Sequence, residues 1–519
     1  MRINKTIVAT LAAACMAVPV YGQATSPDAP TQLVQQQAQI ERIQRDMAKL
    51  QAELDALKQQ QGVVKAAQPV ANPDEVEQLK RKVDVLEEQV SKKTGFSFDL
   101  NRRPGWEKPE GWMTPSFRAE EMDLRVGTFG SIDMYLGLQS AGRFQILDDR
   151  HVFVGGVEQP DLDPSFQTAW GDLPFLFNID NGKMLVFFDL YLSSRPHPST
   201  TYGNEGYILV RELPDNLPGN EWINNTIFKF VNIKAGHFEI DYGDAHYRRS
   251  DNAWVQRNLL IGNYLVDPDV EEIGMEIFSK PGKFNWLFGI SSGTTTENFV
   301  EGRGIASLHG KLWGYPLKDL RLSASGYYVD HSDNPLPSAG PPAVSGTKGS
   351  LFSGRRSGGP YGGVMGGGNS PGDLLLGKDK QVTALQGDVT WNPAKWDFYG
   401  HFGWMKDADT NGSDPTDPED RWIYAAIEGA YHFTPRAYVA ARYCYAAAQE
   451  LQSIDSDGHV QRIQVGGGYW LTKNVLAKAE YVYEKFSDFE VTTWSNGTGI
   501  DVSQDPSFSG FIFEVSFGI

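Results

Sequence analysis

The chain has 519 residues with 65 acidic against 47 basic side chains, and its formal charge of −18 excludes nucleic acid as a main partner. That length is too great for one compact core, which leaves several domains or one large barrel. Aromatic residues make up 12% at a mean hydropathy of only −0.38, and beyond the N-terminus no apolar run has the length of a transmembrane helix. An alternating apolar–polar strand averages to the same value, so the total hides rather than excludes a membrane barrel.

The chain opens "MRINKTIVATLAAACMAVPVYGQATSPDAP". Arg2 and Lys5 precede an apolar stretch from Ile7 to Val20, the layout of a secretory signal, with cleavage expected near Gly22 or Ala24. Residues 1–24 are therefore read as a signal peptide. The "LAAAC" spelling that ends at Cys15 suggests a lipoprotein site, but the apolar stretch runs on past it and favours ordinary cleavage. Cys444 then remains alone, so an exported chain has no intramolecular disulfide.

Residues 25–94 read as a coiled-coil arm. Leu33, Ile40, Ile43, Met47, Leu50, Leu54 and Leu57 follow a heptad seam. After a linker with Gly62, Pro69 and Pro73, the seam resumes at Val76, Leu79, Val83, Leu86 and Val90. Helices this polar need partner helices to cover the apolar stripe, and copies of the same chain are the simplest source. Packing of the stripe back on the chain's own domain is the alternative.

From residue 95 the period falls to two. In "KMLVFFDLYLSS", Met184, Val186, Phe188, Leu190 and Leu192 share one face, while Asp189, Tyr191 and Ser193 share the other with Leu185 and Phe187. "NVLAKAEYVYEKF" sets Val475, Ala477, Ala479, Tyr481 and Tyr483 against Lys478, Glu480 and Glu484. "GSIDMYLGLQ" and the terminal "SGFIFEVSFGI" repeat the design. These are two-faced strands of about ten residues. Their connections alternate between tight turns, at Asn392-Pro393-Ala394, Thr434-Pro435-Arg436 and Thr472-Lys473-Asn474, and long polar loops, the longest from about Asp330 to Lys380. Short turns at one end, long loops at the other and aromatics near the strand ends describe an all-β fold: a transmembrane antiparallel β-barrel over residues 95–519. At about 26 residues per strand and connection it has about 16 strands, with 14 to 18 open.

The signal peptide, the helical arm, the "LTKN" turn and the aromatic last strand together resemble a Gram-negative outer-membrane porin. The stretch "VNIKAGHFEIDYGDAHYRRSDN…EEIGMEIF", with Gly236-His237-Phe238 and Glu272-Ile273-Gly274, is similar to the phosphate-selective porin O and P group. The resemblance implies a homo-trimeric channel in the outer membrane that passes small polar or charged solutes, anions such as phosphate among them. It implies outer-membrane lipid around the barrel and the arm in the periplasm, free to bundle protomers or touch the cell wall. The chain departs from that group in its acidic balance, where a phosphate path wants a ladder of Lys and Arg, and in ending on Ile519 rather than an aromatic.

The segment Glu239 to Asn258 breaks the alternation and carries Asp241, Asp244, His246, Arg248, Arg249, Asp251 and Arg257. In a barrel too wide for side chains to fill, an inserted loop narrows the lumen, so these residues are the pore-constriction candidates. A solvated loop with surface ion pairs is the competing expectation. Two further spellings are set aside. "GISSG" at Gly289–Gly293 matches a hydrolase nucleophile motif but reads as strand then loop rather than a strand-to-helix elbow. "DADTNGSDPTDPED" begins like a calcium loop yet has Pro418 where a bidentate Glu is required. No metal, cofactor or catalytic residue is expected. A structural barrel that ties the envelope to the cell wall through the arm, and a barrel enzyme, remain as the other function classes.

Overall fold

The computed structural model describes residues 125–518 except 130, 194–200, 251–253, 269, 294–306, 318, 331–350, 353–360, 367–373, 375, 377–380, 409–418, 452–453, 473 and 491–499. The signal peptide, the coiled-coil arm, Asp251 and most of the calcium-loop spelling lie outside the described residues.

Sixteen strands close into one antiparallel barrel. In chain order they are β1 Gln139–Arg150, β2 Ser165–Ile179, β3 Met184–Ser193, β4 Thr201–Val210, β5 Val231–Glu239, β6 Glu271–Ser279, β7 Phe284–Ser291 and β8 Ser307–Leu317. They continue as β9 Leu320–Asp330, β10 Gln381–Trp391, β11 Trp396–Asp407, β12 Asp420–Thr434, β13 Ala437–Leu451, β14 His459–Trp470, β15 Val475–Ser487 and β16 Ser507–Gly518. Each strand pairs with its neighbour in sequence, and β16 returns to β1 in unbroken register from Ser507↔Arg150 to Gly518↔Gln139. Below β1, Ile132–Leu136 extends its pairing along β2 and forms a hairpin with Arg125–Phe129. Closure explains how a chain can end on an apolar strand. An unpaired edge would leave each backbone N–H and C=O to face hydrocarbon at several kcal/mol apiece, and β16 has no such edge.

The side chains alternate as the period-two reading expects. Along β16, Phe511, Phe513, Val515 and Phe517 are exposed, while Ile512, Glu514 and Ser516 are buried. Along β15, Tyr481 and Tyr483 point out, and Lys478, Glu480 and Glu484 point in. Near the short turns the outer face carries Trp391, Trp396, Phe433, Tyr469 and Phe517, with the Trp391 and Trp396 rings stacked on Phe398 at 5.6 and 5.3 Å. Phe166, Tyr328 and Tyr483 stand on the outer face nearer the loop end. The inner face is divided. Leu176, Leu185, Phe187 and Leu209 turn apolar groups inward from β2–β4, whereas β8–β16 turn in most of the charge.

Two of the tight turns share a local cause. Thr434 Oγ1 accepts from the Arg436 and Ala437 N–H groups at 3.2 and 3.1 Å, and Thr472 Oγ1 accepts from those of Asn474 and Val475 at 3.2 and 3.1 Å. A threonine hydroxyl that caps the following amides fixes a hairpin without glycine. One connection at this end departs from the expected brevity: residues 211–230 between β4 and β5 hold a helical turn at Asn220–Ile223 that passes into Asn224–Phe228. At the other end the loops start later than their polarity suggests. Strand β13 runs through "AQEL" to Leu451, because Glu450 and Leu451 pair with Asp455 and Ile454 and extend the ladder upward.

Candidate functional site

Between β5 and β6 the chain leaves the wall at one point and re-enters it there, where the Ile240 N–H donates to Val270 O at 2.9 Å. The two strands that carry it approach closely through the motif glycines. Gly274 pairs with Gly236, and a Cβ at Gly236, with its φ of +145°, would meet Gly206 O at 2.4 Å. Residues 240–250 are all buried, and their partners are inward side chains of distant strands. The segment therefore lies inside the barrel.

Its first third docks on β8–β10. Asp241 accepts from Lys311 Nζ at 2.6 Å and from the Tyr247 hydroxyl at 2.9 Å, with His246 Nε2 at 3.2 Å. Asp244 takes both arms of Arg321, at 2.8 and 2.9 Å, plus the Ser323 hydroxyl at 2.9 Å and Lys311 at 2.9 Å. Its own N–H donates to Asp388 Oδ1 at 3.0 Å. Burial, the largest single influence, would raise both carboxyls. Lys311, with a hydrogen bond from His246, outweighs it for Asp241, and Arg321 and Lys311 outweigh it for Asp244, so both are held below the usual carboxylate range.

The middle third docks on β11–β13. Arg248 Nη2 donates to Asp397 and to Glu428 at 2.7 Å each, and its guanidinium stacks 5.0 Å over the Tyr399 ring. Arg249 reaches back to Glu239 at 2.5 Å, beside the neck, and to Asp267 at 3.5 Å. Arg442 grips Glu428 on one side and donates to Gly262 O at 2.7 Å and Asn258 Oδ1 at 2.8 Å on the other. Arg257 lies 4.9 Å over the Trp254 ring and donates to His246 O at 3.4 Å.

The last third docks on β14–β16. Lys478 Nζ collects the carbonyls of Val255, Leu260 and Asn258 at 2.8, 2.9 and 3.2 Å, and Arg462 donates to Asn263 O at 3.1 Å. Glu480 accepts from the Ile261 and Gly262 N–H groups at 2.6 and 3.0 Å. Gln256 Nε2 reaches Asn474 O at 2.9 Å, in a tight turn, so the segment descends to the short-turn end of the lumen.

A second inward element was not legible as such. Within the long loop between β9 and β10, Leu351, Phe352, Tyr361, Val364, Met365, Leu374 and Leu376 are buried. The Gly362 N–H donates to Gln145 at 2.9 Å, the Met365 N–H to Asp149 at 2.9 Å, and the Tyr361 hydroxyl to Glu480 at 2.5 Å. It touches the first segment where the Leu374 N–H donates to Leu265 O at 2.9 Å and where Phe352 sets its ring edge-on to Tyr242 at 6.2 Å.

Six of the seven sequence candidates are thus described, and all six are buried within the barrel. What the sequence reading missed is the wall that holds them: Lys311, Arg321, Asp388, Glu428, Arg442 and Glu480. Each is a charge on the inward parity of a strand, which is the signal that identifies it. Ser291 of the "GISSG" spelling is the last residue of β7, donates to Glu272 and contacts the Ser307 hydroxyl at 2.8 Å. Among the described residues no cluster of His, Cys, Asp and Glu has the arrangement of a metal site.

No protein-family model matches the chain, and no curated protein does. Among solved structures it is similar to the outer membrane channel DcaP of Acinetobacter baumannii, at 10% identity and a TM-score of 0.45, over 76% of this chain and 99% of that one. It is similar to the anion-selective porin from Comamonas acidovorans at 10% identity and 0.44, over 74% and 100%. The outer membrane protein OmpT of Vibrio cholerae, folded in vitro, gives 10% and 0.45, over 76% and 99%. Likenesses this distant carry no functional argument, and the barrel stands on the chain's own strand pairing.

Proposed function

We propose that this protein is an outer-membrane porin: a passive, water-filled channel for small polar or charged solutes, narrowed by residues 240–270. The observation that carries the reading is the combination of a closed barrel, an apolar outer face and a charged segment docked inside by ion pairs to β8–β16. A wall of this kind has no use in water, where Phe511, Phe513 and Val515 would be left bare, and lipid covers it without a second layer. Asp241, Asp244, His246, Arg248, Arg249 and Arg257, together with Asp251, are the proposed constriction residues. The phosphate path suggested by the porin O and P resemblance would call for an excess of Lys and Arg along the lumen.

Insertion of the purified protein into planar bilayers tests the reading. Discrete, ohmic current steps are expected, and a barrel that inserts without conducting overturns it. The heptad arm supports assembly as a homo-trimer in the outer membrane with the arm in the periplasm. It equally favours a second reading, in which the barrel anchors the envelope by cell-wall contact. Removal of residues 31–93 decides: loss of the oligomer on crosslinking supports the trimerising arm, and loss of peptidoglycan co-sedimentation alone supports the tether.

A further inference from the structure

The buried charge of the barrel is lopsided. Among the described residues, seventeen buried carboxylate side chains face ten buried Lys and Arg. The buried cations make ion pairs, as Arg143 and Lys478 do with Glu514, Lys234 with Glu276 and Arg462 with Glu484. Three carboxylates are held instead by neutral donors. Glu480 accepts from two backbone N–H groups, the Tyr361 hydroxyl and Gln464. Asp388 accepts from the Asp244 N–H and from Gln386, Tyr399 and Ser323. Glu272 takes the Ser291 and Tyr327 hydroxyls and the Gly293 N–H. Donors gathered round a carboxylate favour its anionic form against the cost of burial, and do so without an ion pair.

These three stand on β6, β10 and β15, so the carboxylates without an ion pair are distributed around the lumen rather than gathered in one cluster. Asp388 and Glu480 lie directly behind the inserted segment, in contact with its backbone. A negative wall of low dielectric focuses its field on the water path, gathers cations and repels anions. The chain's total charge of −18 has the same sign.

Resting on the channel reading above, we propose that the permeant class is cationic: small solutes of net positive charge and simple monovalent cations, with anions such as phosphate disfavoured. The selectivity is a field effect, so it weakens with salt. The Debye length shrinks from about 10 Å at 0.1 M to about 3 Å at 1 M.

The test is the zero-current potential of the full-length protein in a planar bilayer under a KCl gradient. The expected result is a potassium-to-chloride permeability ratio above one that falls towards one as both compartments are raised to about 1 M. Asp388→Asn and Glu480→Gln should each lower the ratio at low salt, and Glu480→Asp, which keeps the charge, should not. Conduction with chloride favoured, or with a ratio of one at low salt, overturns the cation assignment and leaves the porin reading standing. A ratio above one that ignores both salt and the two neutral variants also overturns the field mechanism. A silent bilayer removes the channel itself, and this assignment with it.

Discussion

Two stretches of chain enter the same lumen and are held there by different chemistry. Residues 240–270 are fastened by opposite charges: Asp244 on Arg321, Arg248 on Glu428 and Asp397, and backbone carbonyls on Arg442, Arg462 and Lys478. Residues 351–376, where described, are fastened by neutral donors and apolar rings: Gly362 and Met365 through backbone N–H groups, Tyr361 through a hydroxyl, and Phe352 against Tyr242 and Tyr424. A buried ion pair adds little over a well-packed apolar contact, but its loss is severe, because the surviving charge has no water to turn to. The difference teaches that losing a single contact costs the first stretch more than it costs the second.

The largest effect follows from breaking a charged anchor. Arg248→Ala leaves Asp397 and Glu428 short of a buried cation, a loss on the order of 3–5 kcal/mol. The sixteen-strand ladder does not depend on Arg248, so the expected outcome is a folded barrel with a displaced segment. Conductance should rise and become noisy, and the segment should become open to added protease, while heat-modifiable gel mobility still reports an intact barrel. Unchanged conductance and protease resistance would show that the charges do not fix the segment.

A smaller effect tests the other stretch. Tyr361→Phe removes one hydrogen bond to a carboxylate, a loss of about 1.5–3 kcal/mol. The expected outcome is a modest rise in conductance without new protease sites in residues 240–270, because Glu480 keeps its bonds to Ile261 and Gly262. If Tyr361→Phe released the first stretch as fully as Arg248→Ala, the two would be one cooperative unit, and the contrast between them would fail.

How far the sequence foretold this contrast depends on the kind of signal. Period-two alternation is a property of each strand by itself, so the outward faces of β3, β15 and β16 and the tight turns at Thr434 and Thr472 were legible. The inserted segment was legible because Asp241 to Arg257 interrupts that alternation with charge. Its partners were not, because Arg321, Glu428 and Arg442 look like any inward polar residue until barrel closure sets them opposite the loop. The second stretch was read only as a long polar loop, since "GGPYGGVMGGGNSPGD" has too few apolar residues to form a stripe. Tyr361, Val364 and Met365 are buried because the barrel encloses them, in one apolar cluster with wall residues such as Leu147 and Phe508.

The smallest effect is a flat pH response, and its sign can be worked out. The Asp241 and Asp244 carboxyls lie below their ordinary value in the folded protein, under the influence of Lys311, His246 and Arg321. An unfolded Asp titrates near about 3.9. The stabilisation these two residues give is therefore fully present above about pH 4 and is lost only as pH falls through their depressed folded values. Conductance and protease resistance should stay level from about pH 7 to about pH 5, and the charged anchor should loosen only in stronger acid. Buffers matched to each pH at constant ionic strength keep screening out of the comparison, since a change in salt moves exposed charges more than buried ones. Loosening of residues 240–270 already near pH 6 would show that the Lys311 and Arg321 contacts do not govern the anchor.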